Sequence, residues 1–169
     1  MTSPAAAGHG KTVQASRVTL SQLMQPEHAN LRGDVHGGWI MKLVDEAGAL
    51  AAMRHAQTRV VTVAIDHMRF HEPIRIGDLV TLQAEVTFVG RSSIETRVQV
   101  IAENPITGQR THTNTAYLVY VALDDSGRPR PAPALVVETE AEARRSEEAK
   151  ARQAHRLAHR DEDLQEPME

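Results

Sequence analysis

A single carboxylate stands inside an otherwise apolar run. In HGGWIMKLVDEAGALAAM, residues 36–53, Asp45 has Met41, Gly48, Ala49 and Ala52 as its neighbours on a helical wheel. Small residues there leave space close to the helix. A carboxylate beside a narrow apolar slot loses water, which raises its pKa towards that of a general base. The competing reading is that Asp45 extends the polar stripe of Lys42 and Glu46, about 60° away. Two glycines open the same run. Gly37 and Gly38 carry no side chain to block the free N–H groups and the positive dipole end of a helix N-terminus. Such a place suits a carbonyl oxygen that becomes negative during a reaction; equally, it is a plain glycine-rich helix entry. Gly37 and Asp45 lie roughly 12 Å apart along a helix axis. The short Asp45 side chain cannot close that gap, so either the substrate bridges it or the second reacting group comes from another chain, which points to a site at a subunit interface.

Other chemical signals are weaker. His67 and His71 have i,i+4 spacing but fall in a strand and its following turn, and no HExxH or Cys/His pattern occurs. No P-loop and no G-x-S-x-G is present. VGRSS, residues 89–93, places Arg91, Ser92 and Ser93 between two strands. These groups suit a phosphate, or simply form a hairpin turn.

The elements that position these residues follow from periodicity. Trp39, Ile40, Leu43, Val44, Ala47, Leu50, Ala51 and Met53 give a broad apolar coat over residues 38–55, which predicts a long helix buried against a sheet. After Arg59 the period changes to two. Strands are predicted at 12–20, 60–70, 79–90, 92–103 and 110–124. Val80, Leu82, Ala84, Val86 and Phe88 should share one face; so should Ile94, Thr96, Val98, Val100 and Ala102. Short connections imply antiparallel neighbours, with the sheet curled around the one long apolar helix.

The 169 residues contain no cysteine, which excludes disulfides, thiolate metal sites and cysteine nucleophiles. The net charge of −3 is uneven. Residues 136–169 hold ten acids against six Lys and Arg, leaving a nearly neutral body. Nucleic acid is therefore not an expected partner, and no apolar run is long enough for a membrane. A cytoplasmic location is expected, since the first residues lack the pattern of a secretory signal. The expected organisation is a disordered 1–11, one domain over 12–135, and a charged tail over 136–169. Glu140 with Arg144 and Glu148 with Arg152 make the tail a solvated helix fraying into disorder, or a partner-binding helix.

Taken in series, HANLRGDVHGGWIMKLVDEAG, VVTVAIDHMRFHEPIRIGD, VGRSS and AYLVYVALDDSGRPRPAP resemble the hotdog-fold acyl-CoA thioesterases, in their cytosolic acyl-CoA hydrolase branch. The resemblance covers residues 15–135. It implies an α+β hotdog fold, a long helix wrapped by a curved antiparallel sheet. It also implies dimers that join their sheets and assemble as trimers of dimers, hexamers in all. The implied reaction is hydrolysis of fatty acyl-CoA to free acid and CoA, with no cofactor, CoA being part of the substrate. The family's loop asparagine corresponds to Asn30 and its helix aspartate to Asp45, which meet across the dimer. Asp45 would deprotonate a water or attack directly, Asn30 would orient water or thioester, and the Gly37 and Gly38 N–H groups would polarise the carbonyl. Arg91, Ser92 and Ser93 would contact CoA. Tyr120 stands where a smaller or different residue is usual, which bears on packing and acyl-chain length. A hotdog hydratase, a regulator that binds acyl-CoA without turnover, and an interaction module are the alternatives. A hydratase would need a histidine near the acid, and only His36 is close in sequence.

Overall fold

The computed structural model describes residues 10–159. Its centre is helix α2, Gly37–Ala56, lying on one face of a five-stranded antiparallel sheet. The strands are β2 (Val18–Leu23), β3 (Val60–Met68), β4 (Leu79–Val89), β5 (Ser93–Glu103) and β6 (Arg110–Ala122), in the order β2-β4-β5-β6-β3. A small parallel pair, β1 (Lys11–Thr12) with β7 (Leu135–Val136), ties the start of the described chain to the segment that follows the sheet. Among the described residues no helix is long and apolar enough to cross a membrane.

The core lies between α2 and the sheet. Ile40, Leu43, Val44, Ala47, Ala51 and Ala52 recur every three or four residues and face Val80, Leu82, Val86, Ile94, Val98, Val100 and Leu118. His36 caps the helix start, its Nδ1 accepting from Gly38 N–H. Gln57 ends the helix at a left-handed φ of 53°. The helix is not buried all round: Met41 and Leu50 are exposed on its outward side.

Three sequence expectations change. The predicted strand at 12–20 begins instead with a helical turn, α1 (Val13–Ser16). Thr12 caps it by accepting from Ala15 N–H, and the buried Ser16 hydroxyl donates to Val13 O while accepting from Val86 N–H. These local hydroxyl bonds compete with the ladder. Phe88 leaves the face it was expected to share, because a bulge between Val86 and Phe88 turns Thr87 inward instead. Finally, β3 and β4 follow one another in sequence but do not pair. Residues 69–78 cross the end of the domain, held where Asn114 Nδ2 donates to Arg69 O, Val35 N–H to Ile74 O (2.8 Å) and Gly77 N–H to Met24 O (2.8 Å). This crossing delivers Phe70 to the helix N-terminus.

The charged tail folds over the opposite face of the sheet as α3, Glu140–His159. It is not a solvated helix: Ala149 is fully buried, and Arg145, Arg152 and Arg156 meet Glu85, Glu95 and Asp66. The expectation of disorder over residues 1–11 lies mostly outside the described residues, as does fraying beyond 159; Lys11 is in β1.

His55, near the end of α2, is completely buried and its Nε2 bonds Pro133 O at 2.8 Å. Nδ1 has no partner. Burial holds its pKa below the usual 6.5, the Pro133 bond opposing and Lys11 adding to the shift. The neutral form is therefore favoured by folding. This contribution is complete above about pH 6.5 and is lost as pH falls through the lower folded value. Thermal denaturation from pH 8 to pH 5 should show Tm falling along this acid limb. His55→Gln, which has no proton to take up there, should flatten it.

Candidate active site

Asp45 sits two turns into α2, half-buried, on the side near the β3 edge. Its Oδ1 accepts from Thr62 Oγ1 on β3 at 2.8 Å and from Tyr120 OH on β6 at 3.2 Å. Tyr120 OH also lies 3.0 Å from the Asp45 main-chain oxygen. Among the described residues nothing bonds Oδ2. The carboxylate thus has one oxygen held by two hydroxyls and one left to react.

The space at Gly48, expected to admit a substrate, is filled from the sheet. A Cβ at Gly48 would lie 2.5 Å from Tyr120 OH and 2.8 Å from Thr96 Oγ1. Glycine is required there because the tyrosine passes so close beneath the helix. Tyr120 is fully buried. Burial, with the Asp45 carboxylate beside it, pushes its hydroxyl far above the ordinary tyrosine range, so it remains a donor at every working pH.

A second group forms at the N-terminus of α2. Asn30 Oδ1 accepts from Arg32 N–H (2.8 Å) and Asp34 N–H (3.3 Å), which folds the loop back on itself. That assigns the amide oxygen inward and leaves the NH₂ group as the available donor. Asn30, Gly37, Ile40, Phe70 and Pro73 line an open cleft of about 320 Å³. Gly37 keeps it open, since a Cβ there would meet the Phe70 ring at 3.4 Å. The two glycines are not equivalent. Gly38 N–H is taken by His36 Nδ1 at 2.9 Å, whereas Gly37 N–H has no acceptor among the described residues. The oxyanion role read for both glycines therefore narrows to Gly37, because the N-cap consumes the other donor.

One chain brings Asn30 and Gly37 together but keeps them apart from Asp45, which does not line their cleft. Arg91 lies farther off, in a cleft of about 520 Å³ between the β4–β5 turn, residues 131–137 and α3, where Lys150 joins it. Ser93 Oγ accepts from Gln153 Nε2 of α3 at 3.3 Å. Among the described residues no three histidine or carboxylate side chains gather as a metal site. Thr62 carried no signal in the sequence: it is one hydroxyl in a β-branched run, and only the fold sets it against Asp45.

The site sits on an open edge. Among the described residues β3 pairs only with β6, and Val61, Val63 and Ile65 along it are 45, 54 and 41 % exposed. An uncovered apolar edge strand is a template for pairing with another chain.

Comparisons with known proteins agree with this architecture. Residues 32–109 match the model of the thioesterase superfamily. The acyl-CoA thioester hydrolase YciA of Salmonella typhimurium is 39% identical over 67% of this chain and 87% of its own. An apo-hexameric acyl-CoA thioesterase superposes with a TM-score of 0.85, at 38% identity, over 89% of this chain and 97% of that one. An acyl-CoA hydrolase of Staphylococcus aureus, solved with butyryl coenzyme A and coenzyme A, gives 0.84 at 32% identity, over 92% of this chain and 94% of that one. The same enzyme has been solved with an asparagine, an aspartate or a threonine replaced by alanine. The helix laid on a five-stranded antiparallel sheet and these relationships together place the chain in the hotdog acyl-CoA thioesterase family.

Proposed function

We propose that this protein hydrolyses fatty acyl-CoA to the free acid and CoA in the cytoplasm, at sites built between two copies of the chain. The observation that carries the reading is Asp45, with Oδ1 fixed by Thr62 and Tyr120 and Oδ2 unpartnered. The three residues replaced in the Staphylococcus aureus hydrolase are spaced by 15 and 17 positions. Asn30, Asp45 and Thr62 repeat both spacings, which supports giving them the same site.

In this mechanism Asp45 Oδ2 takes a proton from water as the water oxygen bonds to the thioester carbon. Negative charge gathers on the carbonyl oxygen, where Gly37 N–H receives it; the Asn30 amide orients water or thioester. The C–S bond then breaks, and the CoA thiolate leaves and takes the proton from Asp45. A thioester is poorly resonance-stabilised and thiolate leaves readily, so base, oxyanion donor and positioning suffice, with no cofactor beyond the CoA of the substrate. Arg91, Ser92 and Ser93 hold the phosphates or pantetheine of CoA, helped by Lys150 across the same cleft. Asp45 contacts hydroxyls rather than an imidazole, which favours the hydrolase over a hydratase.

Asn30 and Gly37 of one copy meet Asp45 of the other when β3 strands pair edge to edge. The exposed Val61, Val63, Ile65, Met41 and Leu50 supply the apolar surface for that dimer. Hexameric relatives support a trimer of such dimers here.

The test is free-thiol release from acyl-CoAs of several chain lengths. Release supports the enzyme; tight binding without release makes it a regulator instead. Sharing of the site is read separately. Asn30→Ala and Asp45→Ala, each inactive, are unfolded and refolded together. Random pairing restores one intact site in each mixed dimer, so roughly a quarter of wild-type activity should return. No recovery places both residues in one chain's site.

A further inference from the structure

We propose that Tyr120 is the positioning residue for Asp45, its hydroxyl admitted beneath the helix by Gly48 and fixing Oδ1 so that Oδ2 is the oxygen that takes the proton. The inference rests on Asp45 being the base. Three observations carry it. Tyr120 OH reaches the carboxylate (3.2 Å) and the main-chain oxygen of the same residue (3.0 Å), so one hydroxyl ties the side chain to its own helix turn. Thr62 bonds the same carboxylate oxygen, not the other. Gly48, one turn farther along, has no room for a methyl group because the tyrosine hydroxyl occupies it.

A short side chain on a helix has a few staggered rotamers available. Two donors on one oxygen select among them before substrate arrives. Preorganisation of this kind costs nothing at the moment of reaction. The tyrosine is fully buried and reaches Asp45 from the sheet side of the helix.

The experiment compares kinetics of the full-length wild type with Tyr120→Phe, which keeps the ring and deletes only the hydroxyl. The kcat should fall about tenfold with KM within about twofold, since only the base is disturbed. Gly48→Ala, which leaves the tyrosine intact but displaces its hydroxyl, should produce the same fall in kcat at unchanged KM. In an Asp45→Asn background, Tyr120→Phe should cost nothing more, because the group it acts through is gone. A lowered Tm with kcat unmoved overturns the proposal and makes Tyr120 a packing residue. An equal fall in both backgrounds overturns it too. If Asp45→Asn itself retains the wild-type rate, the reading of Asp45 as the base fails first, and that outcome is separate from the other two.

Discussion

Asp45→Asn is expected to lower kcat for acyl-CoA hydrolysis by about 10²–10⁴-fold, the usual contribution of a positioned general base. Asparagine keeps the shape and can still accept from Thr62 and Tyr120 through its amide oxygen, so the fold and the dimer should be intact. What it lacks is a basic oxygen in place of Oδ2. The KM should change little if, as proposed, the CoA portion is held at the Arg91 turn and not by the carboxylate. Steady-state thiol release over a range of acyl-CoA concentrations separates the two effects. A rise in KM with kcat unchanged would make Asp45 a binding group. A wild-type rate would leave the carboxylate outside the chemistry. The variant also gives a clean binding form, in which acyl-CoA affinity can be measured without turnover.

The helix, the strands and the position of Asp45 were legible because each depends on local spacing. Ile40, Leu43, Val44, Ala47 and Ala51 recur at the helical period, and Ile94, Thr96, Val98, Val100 and Ala102 at the strand period, and all are buried. What surrounds Asp45 was not legible, because it arrives from far along the chain: Thr62 is 17 residues away and Tyr120 is 75. Gly48 illustrates the limit. A small residue beside a carboxylate marks a close approach, but nothing local says whether substrate or the protein's own tyrosine approaches. The order of strands was hidden for a related reason. Residues 71–78 read as a turn after a strand ending at Phe70, yet the hydrogen bonds of 69–78 go to Met24, Val35 and Asn114, and so this segment crosses the domain instead of folding β3 onto β4. At Gly38 a single side chain decides the outcome: His36 claims its N–H, and no spacing rule distinguishes it from Gly37.

The helix α3 gives the second large effect, on stability. Arg145, Arg152 and Arg156 lie seven and four residues apart, one stripe on a helix. In sequence this reads as a solvated charged face. The acids it meets are on three strands: Glu85 on β4, Glu95 on β5 and Asp66 on β3. Glu95 is 1 % exposed at its side chain, which makes it the costly member. Arg152 bonds both of its oxygens, at 2.8 and 3.2 Å, while stacking 3.9 Å over the Tyr117 ring. Thr87 Oγ1 adds a bond at 2.9 Å, and Arg156 lies farther off at 3.4 Å. Arg152→Ala should therefore destabilise the protein by about 3 kcal/mol, the cost of leaving a buried carboxylate without its partner. Arg152→Lys should recover only part of this, since an ammonium cannot bond both oxygens in the fork geometry. The double change Arg152→Met with Glu95→Gln should be milder than Arg152→Ala alone, because it removes the stranded charge together with its partner. Denaturant titration of the four proteins measures the order. If Arg152→Ala costs under about 1 kcal/mol, the pair behaves as an ordinary surface salt bridge, and α3 is held by Ala149 and its neighbours rather than by charge. If the expected order holds, the tail is anchored to the sheet by a desolvated ion pair, and the face opposite α2 is closed by the protein's own last helix.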